Sequence, residues 1–337
     1  MTKPSSVLIL GARGRFGLAT ARAFAQAGWT VYAQVRPGGT GPATPGVEWI
    51  SVDLQDTQAL AAAAAGATVV VHGLNPAYTH SAWRQQVPAL MDGAIRAARA
   101  LGATLMLPGN VYNFGESMPA LLREDTRQAA AGFMGHMRIA LEQQMNAAAQ
   151  DGRMKAVVIR AGDFFGSGAG TWFDQVMVKD LQRGKFTYPG GEGVPIAWAY
   201  LPDLARTFVL VAQRRAQLPA FETLHFHGNS LTRGDWAGEL EGVARERGWL
   251  AAGARLKTST LPWPLLRVAA LFVPTFAALV AMRYLWKTPH ALDNRGLVTL
   301  IGNEPHTPFA QAVRNALDDL GMRSKAVPAA LETARAS

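Results

Sequence analysis

Three glycines at fixed spacing carry the most chemical information in the chain. Gly11-Ala12-Arg13-Gly14-Arg15-Phe16-Gly17 is a GxxGxxG run between a short apolar stretch and an alanine-rich one. The first glycine permits a tight turn, and the second lets backbone amides approach a pyrophosphate. The third lets a helix pack closely on a strand. Phosphates then face a helix N-terminus, whose free N–H groups favour negative charge. The strand before and the helix after give the spacing the context it needs, so the run reads as a dinucleotide cradle rather than a purely structural turn.

Two arginines bear on which dinucleotide. Arg13 lies inside the turn and Arg36 follows the second strand, where the ribose 2′-oxygen of the adenosine half is expected. An acid there would bind a free 2′-hydroxyl, but no acid occurs until Glu48. Two guanidiniums suit a 2′-phosphate, which favours NADP(H) and leaves NAD(H) open. The bland alternative is a pair of solvated surface arginines. Asp53 and Leu54 follow the third strand and are expected at the adenine edge, with a helix cap as the competing role for Asp53. Gly73-Leu74-Asn75-Pro76 follows the fourth strand, leaving room for the nicotinamide ribose and pyrophosphate. His72 reads as structural.

The elements that must position these residues alternate. Short apolar strands are expected at 7–10, 29–35, 47–52, 67–72, 104–107 and 156–160, with helices at 17–27, 55–65, 83–101 and 133–150. This βαβ rhythm predicts an α/β fold, a Rossmann-type doubly wound parallel sheet with helices on both faces. Ligands then sit beyond the carboxyl ends of the strands. That places Pro108, Gly109 and Asn110, and likewise Ala161, Gly162, Asp163 and Phe164, beside the cofactor. The predicted division is a nucleotide-binding domain over 1–168 and a smaller helix-rich substrate-side region over 169–325, interleaved with the first. A flexible tail is expected over 326–337.

Composition excludes several classes. The chain has 337 residues, 49% hydrophobic and 17% charged, enough to bury a core. It has no cysteine, which excludes disulfides and thiolate chemistry and fits a reducing compartment. The N-terminal residues lack a secretory pattern, so a cytoplasmic protein is expected. The net charge is +9, but the basic residues are dispersed, which reads as a basic surface and not a nucleic-acid interface. Residues 265–286 are strongly apolar but contain Arg267, Pro274 and Arg283. They are expected as buried or partner-facing helices, with membrane contact as the alternative. His225 and His227 share a strand face without a third ligand nearby, so no metal site is expected.

Taken together, the Gly11–Gly17 turn, Val52-Asp53-Leu54, Pro108-Gly109-Asn110-Val111-Tyr112, Arg160-Ala161-Gly162-Asp163-Phe164-Phe165-Gly166 and Tyr200-Leu201-Pro202-Asp203 resemble the extended short-chain dehydrogenase/reductase superfamily. The resemblance is to its NAD-dependent epimerase/dehydratase-like and atypical branches and spans residues 7–230. It implies a small-molecule substrate, a homodimer, and an active site of Ser, Tyr and Lys with Tyr and Lys spaced YxxxK on one helix. Aligned on Glu142, this chain has Met134 at the tyrosine position, Arg138 at the lysine position and Pro108 at the serine position. Methionine moves no proton, and arginine stays charged near neutral pH. Arg138 remains a candidate for holding a ribose or phosphate.

Other donors are therefore sought. Tyr112 lies just past the fifth strand, with Asn110 to orient it or a substrate carbonyl. Tyr78 and His80 follow the strand-four loop and are further candidates, whereas His136, at i+2 from Met134, points away from the 134/138 face. The leading expectation is an NAD(P)-dependent oxidoreductase or epimerase-like enzyme acting on a small carbonyl or alcohol, with Tyr112, Asn110 and Arg138 in the site. Its pocket is expected to be roofed by an apolar second half. The competing expectation is a non-catalytic NADP(H)-binding regulatory or interaction protein.

Overall fold

The computed structural model describes residues 5–324. The tail expected at 326–337 lies outside the described residues. The strands are β1 (Ser6–Leu10), β2 (Thr30–Val35), β3 (Val47–Ser51), β4 (Ala67–His72), β5 (Thr104–Gly109), β6 (Leu121–Leu122), β7 (Lys155–Arg160), β8 (Asp163–Phe165), β9 (Lys185–Tyr188), β10 (Ile196–Tyr200), β11 (Phe221–His225), β12 (Asn229–Leu231), β13 (Lys257–Thr260) and β14 (Ala291–Leu292). The helices are α1 (Arg15–Gln26), α2 (Thr57–Ala63), α3 (His80–Leu101), α4 (Phe133–Ala149), α5 (Leu201–Gln213), α6 (Arg233–Glu246), α7 (Trp263–Ala269), α8 (Pro274–Ala281), α9 (Arg295–Ile301) and α10 (Phe309–Asp319).

Seven strands form one parallel sheet in the order β11-β7-β5-β4-β1-β2-β3. Their side chains alternate between two cores, as the two-residue period of a strand demands. Val7 and Ile9 pack with Phe24 and Phe208 on the α1–α5 face. Leu8 and Leu10 pack with Trp83 and Met145 on the α3–α4 face. The strand order reverses between β1 and β4, so a crevice opens there beyond the carboxyl ends.

The predicted Rossmann-type sheet is thus present, but its edge strand β11 comes from the second half. So does α5, which packs on α1 beneath the sheet. A cut at residue 168 would leave the sheet short by one strand. α3 starts at His80 instead of residue 83, because the Thr79 hydroxyl accepts the Ala82 N–H at 3.2 Å. The apolar stretch over 265–286 folds as the α7–α8 hairpin followed by a helical turn at Arg283–Trp286. Among the described residues, no helix is long and apolar enough to cross a membrane.

The second half packs its aromatics on one another. Trp198, Trp236 and Trp286 are buried, with Trp198 ring centroids 5.0 Å from Trp236 and 5.5 Å from Trp286. Phe165 joins them from β8. The aromatics of the predicted roof are therefore largely packed on one another, in one core with the α3–α4 face of the sheet, and their presence says little about substrate polarity.

Candidate active site

The cradle begins at the end of β1. Gly11 has φ +72°, and a Cβ there would lie 2.8 Å from the Gly73 carbonyl carbon and the Leu74 nitrogen. A Cβ on Gly17 would lie 2.3 Å from the Gly11 oxygen. Bare backbone is thus required where β1, β4 and α1 converge. Gly14 caps α1 without a side-chain hydrogen bond, and the first turn carries no acid, so the helix end is left open to an anion. A cleft of about 710 Å³ lies over this end, lined by Gly11, Arg13, Gly14, Arg36, Leu74 and Asn75 among others.

Arg13 and Arg36 are both exposed at this cleft, and neither meets a carboxylate among the described residues. Arg15 instead turns toward the second half. Its Nη1 donates to the Gly166 oxygen at 3.4 Å, and burial pulls its pKa down while Asp174 offsets part of the shift. Phe16 is buried and packed edge-on against Phe208 at 5.0 Å. Asp53 is exposed and accepts the Gln55 N–H at 2.9 Å, while Asp56 is the actual cap of α2. Leu54 is buried against Gly93 of α3. Neither Asp53 nor Leu54 is among the residues that line the cleft.

Leu74 and Asn75 also wall a second, small chamber between α3 and α4, shared with His72, Trp83 and Arg138. The Arg138 guanidinium lies 5.1 Å over the Trp83 ring, and its Nε has no hydrogen-bond partner. Glu142, one turn further along α4, is committed to the buried Arg160, whose Nε donates to it at 3.2 Å. Burial pulls Arg138 below its usual pKa, with Tyr112, Glu142 and Tyr78 opposing. Burial, with the Arg138 charge added, drops His72 to about 4, so His72 is neutral. Met134, at the position of the resembled family's tyrosine, is 1% exposed and belongs to the core.

Beyond the ends of β4 and β5, two hydroxyls meet. Tyr78 Oη donates to Tyr112 Oη at 3.2 Å. Asn110 Oδ1 accepts the Tyr112 N–H at 3.0 Å and so fixes the turn that carries this side chain. Burial pushes Tyr112 up to about 12, and Asp163 adds to the rise, while Tyr78 and Arg138 oppose it. Burial raises Tyr78 well above its ordinary value. Asp163, at the start of β8, is pushed by burial up to about 7. Its influence on Tyr78, Tyr112 and Tyr188 puts it in the same cluster. Ala161 and Gly162, by contrast, are buried in the backbone: Ala161 N donates to Gly109 O at 3.3 Å and Gly162 packs on Ala197. Phe164 remains partly exposed, and Pro108 lies within β5 without a side-chain hydrogen bond to give.

Sequence reasoning missed two participants, Tyr284 and Trp83. Tyr284 Oη donates to the Tyr112 carbonyl at 3.4 Å from 172 residues away, and nothing in its apolar surroundings signals that. Trp83 is a stacking partner whose position on α3 could have been read from helical spacing only once Arg138 was placed. Asp163 was expected at the pocket, but its raised pKa depends on tertiary burial. His136 is exposed and its Nδ1 lies 2.9 Å from the Gly132 oxygen. His80 packs on Phe133. His225 and His227 face backbone carbonyls, and no metal-ligating cluster occurs among the described residues.

A nucleotide cradle at the switch point of a parallel sheet, with a hydroxyl pair beyond the next two strands, defines a Rossmann-fold protein of the extended short-chain dehydrogenase/reductase type. The model of the NAD dependent epimerase/dehydratase family matches residues 7–225, and the chain belongs to that family. Solved structures share the fold at low identity. An epimerase-like protein from Burkholderia cenocepacia J2315 is 20% identical, with TM-score 0.72, covering 96% of this chain and 99% of that one. The UDP-glucuronic acid 4-epimerase of Bacillus cereus in complex with NAD is 14% identical, with TM-score 0.70, covering 94% and 99%. The UDP-N-acetylglucosamine 4-epimerase of Bacillus cereus is 13% identical, with TM-score 0.69, covering 96% and 99%. Among curated proteins, none matches the chain.

Proposed function

We propose that this chain is an NADP(H)-dependent oxidoreductase or epimerase-like enzyme of small carbonyl or alcohol substrates, with Tyr112 as its proton-handling group. The observation that carries this reading is the Tyr78–Tyr112 hydroxyl pair, standing beyond the carboxyl ends of β4 and β5. The residues present fit a dinucleotide. Gly11, Gly14 and the open end of α1 would hold its pyrophosphate, and Arg13 and Arg36 a 2′-phosphate. Arg138, buried with an unpartnered Nε behind Leu74 and Asn75, would complete its shell on ribose hydroxyls. When bound, such a cofactor supplies hydride transfer at its nicotinamide ring.

The chain's own residues handle the proton. Tyr78 donates to the Tyr112 oxygen, which leaves the Tyr112 proton free to point at a substrate oxygen. As that proton leaves, the Tyr78 hydrogen bond and the Arg138 charge stabilise the phenolate. Asn110 keeps the tyrosine in place through its backbone. The test is NADPH consumption across aldehydes, ketones and quinones. Tyr112→Phe is expected to slow turnover by roughly a hundredfold or more while the cofactor Kd stays unchanged. Wild-type rates in that variant would remove Tyr112 from the mechanism.

A second reading has one observation behind it: Met134 is buried where the resembled enzymes place their acid. On this reading the chain binds NADP(H) as a regulatory or interaction protein without turnover. Tight NADPH binding with no reaction across the whole panel would select it.

A further inference from the structure

The α7–α8 hairpin carries nearly all of the large apolar side chains that stand in water. Of those exposed among the described residues, every one but Leu121 is here: Leu265 (69% exposed), Val268 (60%), Leu271 (79%), Phe272 (80%) and Val273 (39%). Leu265 and Val268 lie one turn apart on α7, and Leu271, Phe272 and Val273 form the bend into α8. The other side of the hairpin is anchored. Trp263 Nε1 donates to the Pro189 oxygen at 2.9 Å, Arg283 lies 5.0 Å over the Trp263 ring, and Ala278 and Met282 are buried. A contiguous apolar tip on an anchored base marks a contact surface and not a loose end.

Charge indicates what it contacts. Between Glu246 and Asp293 the sequence has no carboxylate, but it has Arg247, Arg255, Lys257, Arg267, Arg283 and Lys287. Arg247 is paired with Asp318, and Arg283 is stacked on Trp263. The other four are exposed, and none forms an ion pair among the described residues. A second copy meeting this tip by two-fold symmetry would set Arg267 against Arg267, with no acid on either hairpin to separate them. A surface of anionic headgroups over acyl chains satisfies both the apolar bend and the free cations. We propose that the α7–α8 hairpin docks on an anionic lipid bilayer. The Leu271-Phe272-Val273 bend enters the headgroup–acyl boundary, and Arg267, exposed on the same hairpin, lies toward the phosphates. The hairpin lies on the membrane and does not span it.

The test is sedimentation of the full chain with phosphatidylcholine vesicles, with and without phosphatidylglycerol. The protein is expected to pellet with the anionic vesicles, to be released by added salt, and to stay in solution with the neutral ones. The Leu271→Glu/Phe272→Glu double variant is expected to lose pelleting while keeping wild-type Tm and cofactor affinity, because both side chains are outside the core. Arg267→Glu is expected to weaken anionic-vesicle binding about tenfold. Equal pelleting with both vesicle types, or none with either, overturns the proposal. So does a concentration-dependent dimer that the double variant abolishes, which would assign the tip to a second copy.

Discussion

A guanidinium turned into the protein, with its nearest carboxylate committed to another arginine, is expensive unless a ligand completes its shell. Arg138 is such a group, held over Trp83 with Glu142 spoken for by Arg160. Arg36 is the opposite case, exposed at the cleft and free to meet a phosphate from solvent. Arg36→Ala is therefore expected to weaken NADPH binding about tenfold or more and leave NADH nearly untouched, as read by fluorescence titration of both cofactors. An unchanged preference would remove Arg36 from the 2′-phosphate site. Asp163 supplies a pH signature. Its folded pKa, about 7, lies above the ordinary carboxylate value, so folding disfavours its charged form. Its contribution is fully present below pH 4 and lost as pH rises through 7. Relative to wild type, Asp163→Asn should gain Tm steadily from pH 4 to 8, and a pH-independent difference would show that Asp163 ionises normally. The sequence singled out Tyr112 by its place after a strand end and Arg138 by the family resemblance aligned on Glu142. The states of Asp163 and Tyr284 were not, because burial by distant segments sets them.

At the scale of elements, the β1–turn–α1 unit tolerates little change. A methyl group at Gly17 would sit on the Gly11 oxygen. Gly17→Ala is expected to cost on the order of 2–4 kcal/mol and to abolish cofactor binding together with it, checked by urea unfolding and titration of the same sample. Normal stability with normal binding would mean α1 can slide away from β1. The sequence identified these elements well because their signals are local: apolar runs for strands and alanine-rich stretches closed by glycine for helices. It placed β4 at 67–72, as observed. It misplaced the start of α3 because the Thr79 cap outweighs the turn-like sequence before it. The strand end that marks Leu54 in the sequence carries no sign that its side chain packs against α3.

At the scale of the molecule, the segment after the family-matched residues is fastened to the sheet by single carboxylates. Glu304 accepts the backbone N–H groups of His227 and Gly228 and the Asn294 amide, each at 2.8 Å. Asp203 likewise accepts the Thr307 N–H at 2.6 Å. Glu304→Ala should destabilise the fold by about 2–3 kcal/mol, seen as a lower denaturant midpoint, since it leaves two backbone donors without their partner. No change in midpoint would mean that water replaces the carboxylate at little cost. Alternating strands and helices made the Rossmann class readable from the sequence, but no local signal announces that β11 must cross back from the second half.

That crossing has a consequence for synthesis. β7 is complete at residue 160, yet its outer partner does not exist until residue 225 has been made. For the intervening stretch of translation, the nascent sheet presents a bare parallel edge of buried-type residues, Ala156 to Ile159, to whatever surrounds the ribosome. The chain thus passes through a stage open to mispairing between neighbouring nascent chains, and α9, which covers β11, arrives later still.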